Sequence, residues 1–261
     1  LIAITRGVSP GIVRCELTHI DRQAIDLELA RAQHRRYEMC LAELGCEVVS
    51  LPADPDLPDS VFIEDAAVVL EELAVITRPG AASRRAETAA VASALRPYRA
   101  LHWIEAPGTI DGGDVLRVGR TLFVGLSSRT NPSGAEQLRR LAEPLGYRVR
   151  GVGIGDCLHL KSAVTLVSED TLLVNKSWVD GEAFGPIRLI EVSPEEPWAA
   201  NALLVTGTVL YPAAYPLTRR RLEGAGIELA LVEVSELAKA EGGVTCCSLL
   251  FKEGGRECTP T

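Results

Sequence analysis

Aromatic residues are scarce. Four Phe, three Trp and five Tyr make up 5% of the 261 positions, so a core has to be built mainly from Val, Leu, Ile and Ala. A positive balance is also lacking: 27 Lys and Arg stand against 35 Asp and Glu, and the formal net charge of −8 excludes nucleic-acid binding by bulk electrostatics. No apolar run approaches the roughly 20 residues that cross a bilayer, because Glu64, Asp65, Glu71 and Glu72 interrupt the most hydrophobic stretch. The first ten residues, LIAITRGVSP, have neither the basic lead nor the long apolar core of a signal peptide. Cys15, Cys40, Cys46, Cys157, Cys246, Cys247 and Cys258 form an odd set without a Cys-x-x-Cys pair. That pattern argues against a zinc ribbon and for free thiols in a reducing cytoplasm. His19, His34, His102 and His159 lack metal-ligand spacing, and GVGIGD is a poor phosphate loop that leads into a strand-like run. Neither a metal nor a nucleotide cofactor is expected.

What is present is a globular composition, 47% hydrophobic and 24% charged, with an internal repeat. A strand-like run at 46–52 is followed by a turn, two further runs at 62–70 and 73–79, and a helix-like stretch at 81–96. The order strand, hairpin, helix recurs from ALHWIEAP to a helix at 133–145, with Ser133 as expected cap and Glu136 three residues on. A third copy, YRVRGVGI to DTLLVNK, is followed by a poor helix. The fourth ends on PLTRRRLEGAG, where Gly224 and Gly226 suit a helix stop. The fifth stops after GVTCCSLLF, and the N-terminal LIAIT with an amphipathic helix at 21–44 supplies its missing parts. The reading is an α/β ring of five units forming a single domain over 1–261, with first strands inside and helices outside. Two ordinary α/β domains are the bland alternative.

Asp65, Asp114, Ser162, Asn201 and Cys247 mark the starts of the hairpins, so residues near them converge at one end of a ring. Asp59, Glu64, Asp65, Asp111, Asp114, His159 and Cys246 all lie there. A nucleophilic thiol needs a nearby cation, a histidine that gives and then takes a proton, and a carboxylate that orients the histidine. Each residue also has a plain reading: Cys246 as a packed thiol, His159 as a core histidine between leucines, Asp59 and Asp111 as turn formers. Strand alternation separates the vicinal cysteines, placing Cys246 with Ser248 and Cys247 with Leu249, so Cys246 is the one expected to face the site. Arg84, Arg85 and Arg129 are candidates for holding a carboxylate, or else solvated charges.

The segments LPDSVFIEDAAVV (57–69), ITRPGAASRRAE (76–87), TIDGGDVL (109–116), FVGLSSRTN (123–131), CLHLKS (157–162), AAN (199–201) and GGVTCCSLLF (242–251) resemble the dimethylarginine dimethylaminohydrolases. These are guanidine-modifying enzymes of the pentein fold, a five-bladed α/β propeller. The resemblance implies Cys246 as nucleophile, His159 as acid and base, and Asp111 as the carboxylate that orients it. It implies substrate contacts from Asp59, Glu64 and Asp65 to cationic and amino groups, and from Arg84 and Arg129 to the α-carboxylate. Leu17 and Ala240 match positions that bind the α-amino group through backbone carbonyls. The implied reaction converts Nω-methylated arginine to citrulline and a methylamine through a covalent thiouronium, without a cofactor. The expected partner is a small-molecule substrate, with no nucleic acid and no membrane, for a monomer or homodimer. Arginine deiminase chemistry and a noncatalytic pentein are the alternatives, with a cysteine peptidase behind them.

Overall fold

The computed structural model describes residues 1–253; Cys258 and the rest of the C-terminal tail lie outside the described residues. The chain runs β1 (Ile2–Arg6), α1 (Leu27–Glu43), β2 (Glu47–Leu51), β3 (Ala67–Val69), β4 (Leu73–Ile76), α2 (Thr88–Leu95) and β5 (Ala100–Trp103). It continues with β6 (Val115–Val118), β7 (Thr121–Leu126), α3 (Pro132–Ala142), β8 (Arg148–Gly153), α4 (Leu160–Ala163), β9 (Val164–Ser168), β10 (Thr171–Val174) and β11 (Arg188–Glu191). Last come β12 (Leu203–Val205), β13 (Thr208–Pro212), α5 (Pro216–Gly224), β14 (Leu229–Val232), α6 (Ser235–Ala238) and β15 (Leu249–Phe251).

The strands form five three-stranded sheets: β15-β1-β2, β3-β4-β5, β6-β7-β8, β9-β10-β11 and β12-β13-β14. In each, an antiparallel pair is extended by a parallel strand on the far side of the central one. A parallel partner cannot be reached by a tight turn, which is why a longer connection, helical in four of the five, precedes each outer strand. The N-terminal strand closes the ring, as the repeat predicts: β1 pairs antiparallel with β15 and parallel with β2.

One expectation is reversed. Residues of β3, β6, β9, β12 and β15 wall a common cavity of about 320 Å³ along the axis, so the hairpin strands are inside. The strands expected there, β2, β5, β8, β11 and β14, are outer edges with many exposed or half-buried positions. Residue pattern explains it: RVRGVG alternates exposed arginines with buried valines, whereas Ala67–Val69 and Val115–Leu116 are apolar and largely buried.

Local corrections follow from side chains the pattern undervalued. The long first helix begins at Leu27 because the Asp26 side chain accepts from Leu29 N–H. The stretch at 81–96 starts as a 3₁₀ turn, Ala82–Glu87, before α2. Asn131, not Ser133, caps α3, accepting from Gly134 N–H with Pro132 at the first helical position, and Glu136 pairs with Arg139 and Arg140 instead of closing a capping box. The third unit carries only the short 3₁₀ turn Gly181–Phe184 in place of a helix. Gly226 adopts φ 83°, the left-handed conformation expected just past α5.

Candidate active site

The functional candidates sit in the turns that lead into the inner strands. Glu64 and Asp65 lie on the 3₁₀ turn Ile63–Ala66, Asp111 precedes the turn Gly112–Asp114, and His159 precedes α4. Cys246 lies in a turn before β15 and not on the strand. Strand alternation therefore does not govern the Cys246-Cys247 pair, although its outcome stands: Cys247 is fully buried in the core beneath α1, while Cys246 is only half-buried and lines a cavity. That turn is propped from α1, where the buried Tyr37 hydroxyl donates to Val244 O at 2.8 Å and meets Ser248 Oγ at 2.7 Å.

Hydrogen bonds between units, most of them through a side chain, bring these turns to one end of the ring. Gly113 N–H donates to Asp65 Oδ1 at 2.9 Å, Leu160 N–H to Asp114 Oδ1 at 2.9 Å, and Glu64 N–H to Cys246 O at 3.1 Å. Asn201 Nδ2 donates to Lys161 O at 3.1 Å and to Thr245 Oγ1 at 3.0 Å. Three of the five marker positions, Asp65, Asp114 and Asn201, thus join neighbouring units. Gly113 is required by close approach, since a Cβ there would stand 2.8 Å from both His159 Nδ1 and Asp65 Oδ1.

His159 Nε2 lies 3.1 Å from Asp111 Oδ2 and 3.9 Å from Asp65 Oδ1. Asp111 is wholly buried, and its other oxygen accepts from Gly80 N–H at 2.9 Å while its own N–H donates to Thr130 Oγ1 at 3.1 Å. Burial disfavours charge on the imidazole, but Asp65, the Asp111 hydrogen bond and Asp114 outweigh it and raise the His159 pKa to about 9. Asp65 is opposed by burial and favoured by His159, Arg84 and the Gly113 N–H, with its pKa held down at about 2. Asp114, pushed up to about 6 mainly by burial, braces the segment carrying His159 and also accepts from Ser127 Oγ at 2.6 Å. Burial, then Glu64 and Asp65, push the Cys246 thiol up to about 12, which favours a neutral thiol beside a cationic imidazole.

A cavity of about 20 Å³ is lined by Asp59, Asp65, Arg84, Arg129, His159, Ala240 and Cys246, together with Glu16, Phe62, Leu158 and Glu241. Asp111 stands behind His159. Glu64 is turned the other way, toward the axial cavity, with Lys161 Nζ at 2.6 Å and Thr245 Oγ1 at 2.9 Å on its carboxylate. Leu17 packs on the core beneath α1. Arg84 is 5% exposed and braced on several sides, by Glu87, by Asp65, and by the Phe62 and Asp59 carbonyls. Arg85 turns away to Pro79 O. Asp65, Asp111 and His159 place ligand-type atoms within 4.8 Å of one another, and Asp65 is already paired with the Arg84 guanidinium.

A family model described as arginine deiminase matches residues 53–197. The N(G),N(G)-dimethylarginine dimethylaminohydrolase of Streptomyces coelicolor is 43% identical over 252 residues, which are 96% of this chain and 97% of that protein. This chain belongs to the dimethylarginine dimethylaminohydrolase family. The dimethylarginine dimethylaminohydrolase structure from Pseudomonas aeruginosa, a mutant complexed with citrulline, matches with a TM-score of 0.91 and 36% identity, covering 95% of this chain and 98% of that one. A dimethylarginine dimethylaminohydrolase adduct with S-methyl-L-thiocitrulline matches equally well. The five small sheets are accordingly the blades of a pentein, the fold of this hydrolase family.

Within this dimethylarginine dimethylaminohydrolase chain, sequence reading missed the residues that hold the others. Glu87 lies three residues after Arg84 and binds it, a spacing that signals such pairs on a helical turn. Lys161 sits inside CLHLKS and balances Glu64. Glu241, at φ 58°, accepts from the backbone N–H groups of Thr18 at 2.9 Å, His19 at 2.5 Å and Ile20 at 3.0 Å. Arg129 Nη2 reaches Thr18 Oγ1 at 3.1 Å, so the segment 16–20 is fastened to the rim of the cavity from two sides. No local pattern around AEGGV announces that contact 220 residues away in the chain.

Proposed function

We propose that the chain is one catalytic domain over 1–261 that hydrolyses Nω,Nω-dimethyl-L-arginine and Nω-monomethyl-L-arginine to L-citrulline and dimethylamine or methylamine. The observation that carries this reading is the Asp111 to His159 contact at 3.1 Å in a cavity that also holds Cys246. Beside it stand Asp59 and Asp65 for cationic groups and Arg84 and Arg129 for a carboxylate. In this reading the Leu17 and Ala240 carbonyls hold the α-amino group with Asp59, Arg129 and Arg84 take the α-carboxylate, and Asp65 stabilises the guanidinium charge.

Burial and nearby carboxylates raise the Cys246 thiol, so the entering guanidinium supplies the positive charge that lets Cys246 lose its proton to water. The thiolate attacks the guanidinium carbon and a C–S bond forms. The bond to the methylated nitrogen then breaks as the His159 imidazolium gives that nitrogen its proton, leaving a cationic thiouronium on Cys246. Neutral His159 next takes a proton from the attacking water. The C–S bond breaks, the second water proton leaves as the carbonyl forms, and citrulline departs; the free amine takes up the proton released. Asp111 keeps the imidazole oriented through both steps.

Six free cysteines among the described residues fit a reducing cytoplasm, and the reading accommodates a monomer or a homodimer. The test is citrulline release from dimethylarginine and arginine in parallel, with mass spectrometry of the enzyme. Expected are turnover of dimethylarginine, a covalent adduct on Cys246, and loss of at least about 10³-fold in kcat for Cys246→Ser. Citrulline from neither substrate sinks the assignment. A preference for arginine moves it to deiminase chemistry, the description carried by the matching family model.

A further inference from the structure

A second cavity, about 350 Å³ in volume, adjoins the reaction cavity and shares Leu158, Glu241 and Cys246 with it. Its walls are largely apolar, with Trp198, Tyr215, Pro212 and Val234 among them. Trp198 is 36% exposed and packs edge to face on Trp178, with ring centroids 4.6 Å apart. The charged groups that line it are already engaged. Lys239 Nζ lies 2.7 Å from Glu236 Oε1 and 3.1 Å from Ala24 O, and Glu241 holds the segment 18–20.

We propose that this second cavity is a leaving-group chamber: it receives the alkyl substituents of the guanidine's terminal nitrogen, then the freed alkylamine, and it admits the water that releases citrulline. The proposal rests on the hydrolase reading above and says where that reaction's second product goes. The small cavity, about 20 Å³ in volume, leaves no room for alkyl groups beside an amino-acid part held among Asp59, Arg84 and Arg129, and its rim is fastened by Glu241 and Arg129. The amine is then released on the far side of Cys246, where the larger cavity begins. Apolar walls suit alkyl groups, and the faces of Trp198 and Tyr215 suit a small alkylammonium. The volume corresponds to roughly ten waters at about 30 Å³ each, far more than two methyl groups occupy, so a longer alkyl group is accommodated too.

The experiment compares citrulline release from dimethylarginine and from Nω-propyl-L-arginine by the full chain and by Ala238→Phe and Ala214→Trp. Both alanines line the chamber and are exposed, so the larger side chains fill it without disturbing a core. Expected is a kcat/KM for the propyl substrate within about tenfold of that for dimethylarginine, and a loss in the variants at least about tenfold greater for the propyl compound. The chamber is overturned if dimethylarginine is hydrolysed while the propyl substrate is inert, or if the variants depress both substrates equally. If no arginine derivative yields citrulline, the hydrolase reading itself fails and the chamber falls with it.

Discussion

Glu64 and Asp65 are neighbours on one 3₁₀ turn, both buried and both paired, yet they serve opposite sides of the ring. Asp65 faces the reaction cavity, where its partners are Arg84, His159 and the Gly113 N–H. Glu64 faces the axial cavity, where Lys161 and the Thr245 hydroxyl satisfy it. The first carboxylate faces His159, a group it pushes to titrate at about 9. The second is paired with Lys161 Nζ at 2.6 Å, away from the reacting groups. The contrast shows that burial of an ion pair says little about function, and that the partner's chemistry decides whether the charge can act.

The sharpest way to break this comparison is to neutralise each carboxylate in turn. Asp65→Asn removes a main source of the raised His159 pKa and is expected to lower kcat/KM for dimethylarginine by about 10²–10³-fold. Glu64→Gln removes a charge on the other side and is expected to cost less activity. Equal losses would show that both carboxylates act on the guanidinium. Next in size, Lys161→Met leaves Glu64 buried without its cation and is expected to destabilise the fold by about 3 kcal/mol in urea titration. Adding Glu64→Gln to it should recover much of that loss; no recovery would mean that Lys161 supports the fold in another way.

The pH dependence of stability separates the two sides further. His159 has a folded pKa raised to about 9, so its contribution is fully present below its ordinary value near 6.5 and is lost as pH rises through 9. Unfolding free energy is expected to fall by about 3 kcal/mol across that window, and Asp65→Asn should flatten the slope. At the acid end Asp65, held at about 2, contributes stability above about pH 4 that is lost as pH falls through 2. These shifts are one interaction seen from each partner, and their energies do not add. The smallest effect is expected from Glu241→Gln, which weakens three hydrogen bonds to the segment 18–20: KM should rise by about 3–10-fold with kcat nearly unchanged. A fall in kcat with constant KM would instead place Glu241 in the chemistry.

Much of this was legible along the chain because a repeat is a local property copied several times. The hairpins, the closing role of LIAIT and the clustering of Asp65, Asp111, His159 and Cys246 near inner-strand starts all follow from periodicity and position. The error over which strands lie inside arose because a strand and its sheet partner are separated by a helix, and periodicity alone does not say which neighbour it joins. Ser133 and Asn131 are both capping residue types, and which of them caps α3 depends on where Pro132 falls in the first turn.

The sequence by itself determined the five-unit plan, the aliphatic core required by its few aromatics, and the chemistry-bearing residue types, because these depend on composition and spacing. Only the tertiary structure decided that adjacent Glu64 and Asp65 part company, that Glu87 braces Arg84, and that Glu241 fastens a segment 220 residues away. Those outcomes depend on which backbone groups meet across the ring, and hydrogen bonds of that kind leave no periodic trace in the chain.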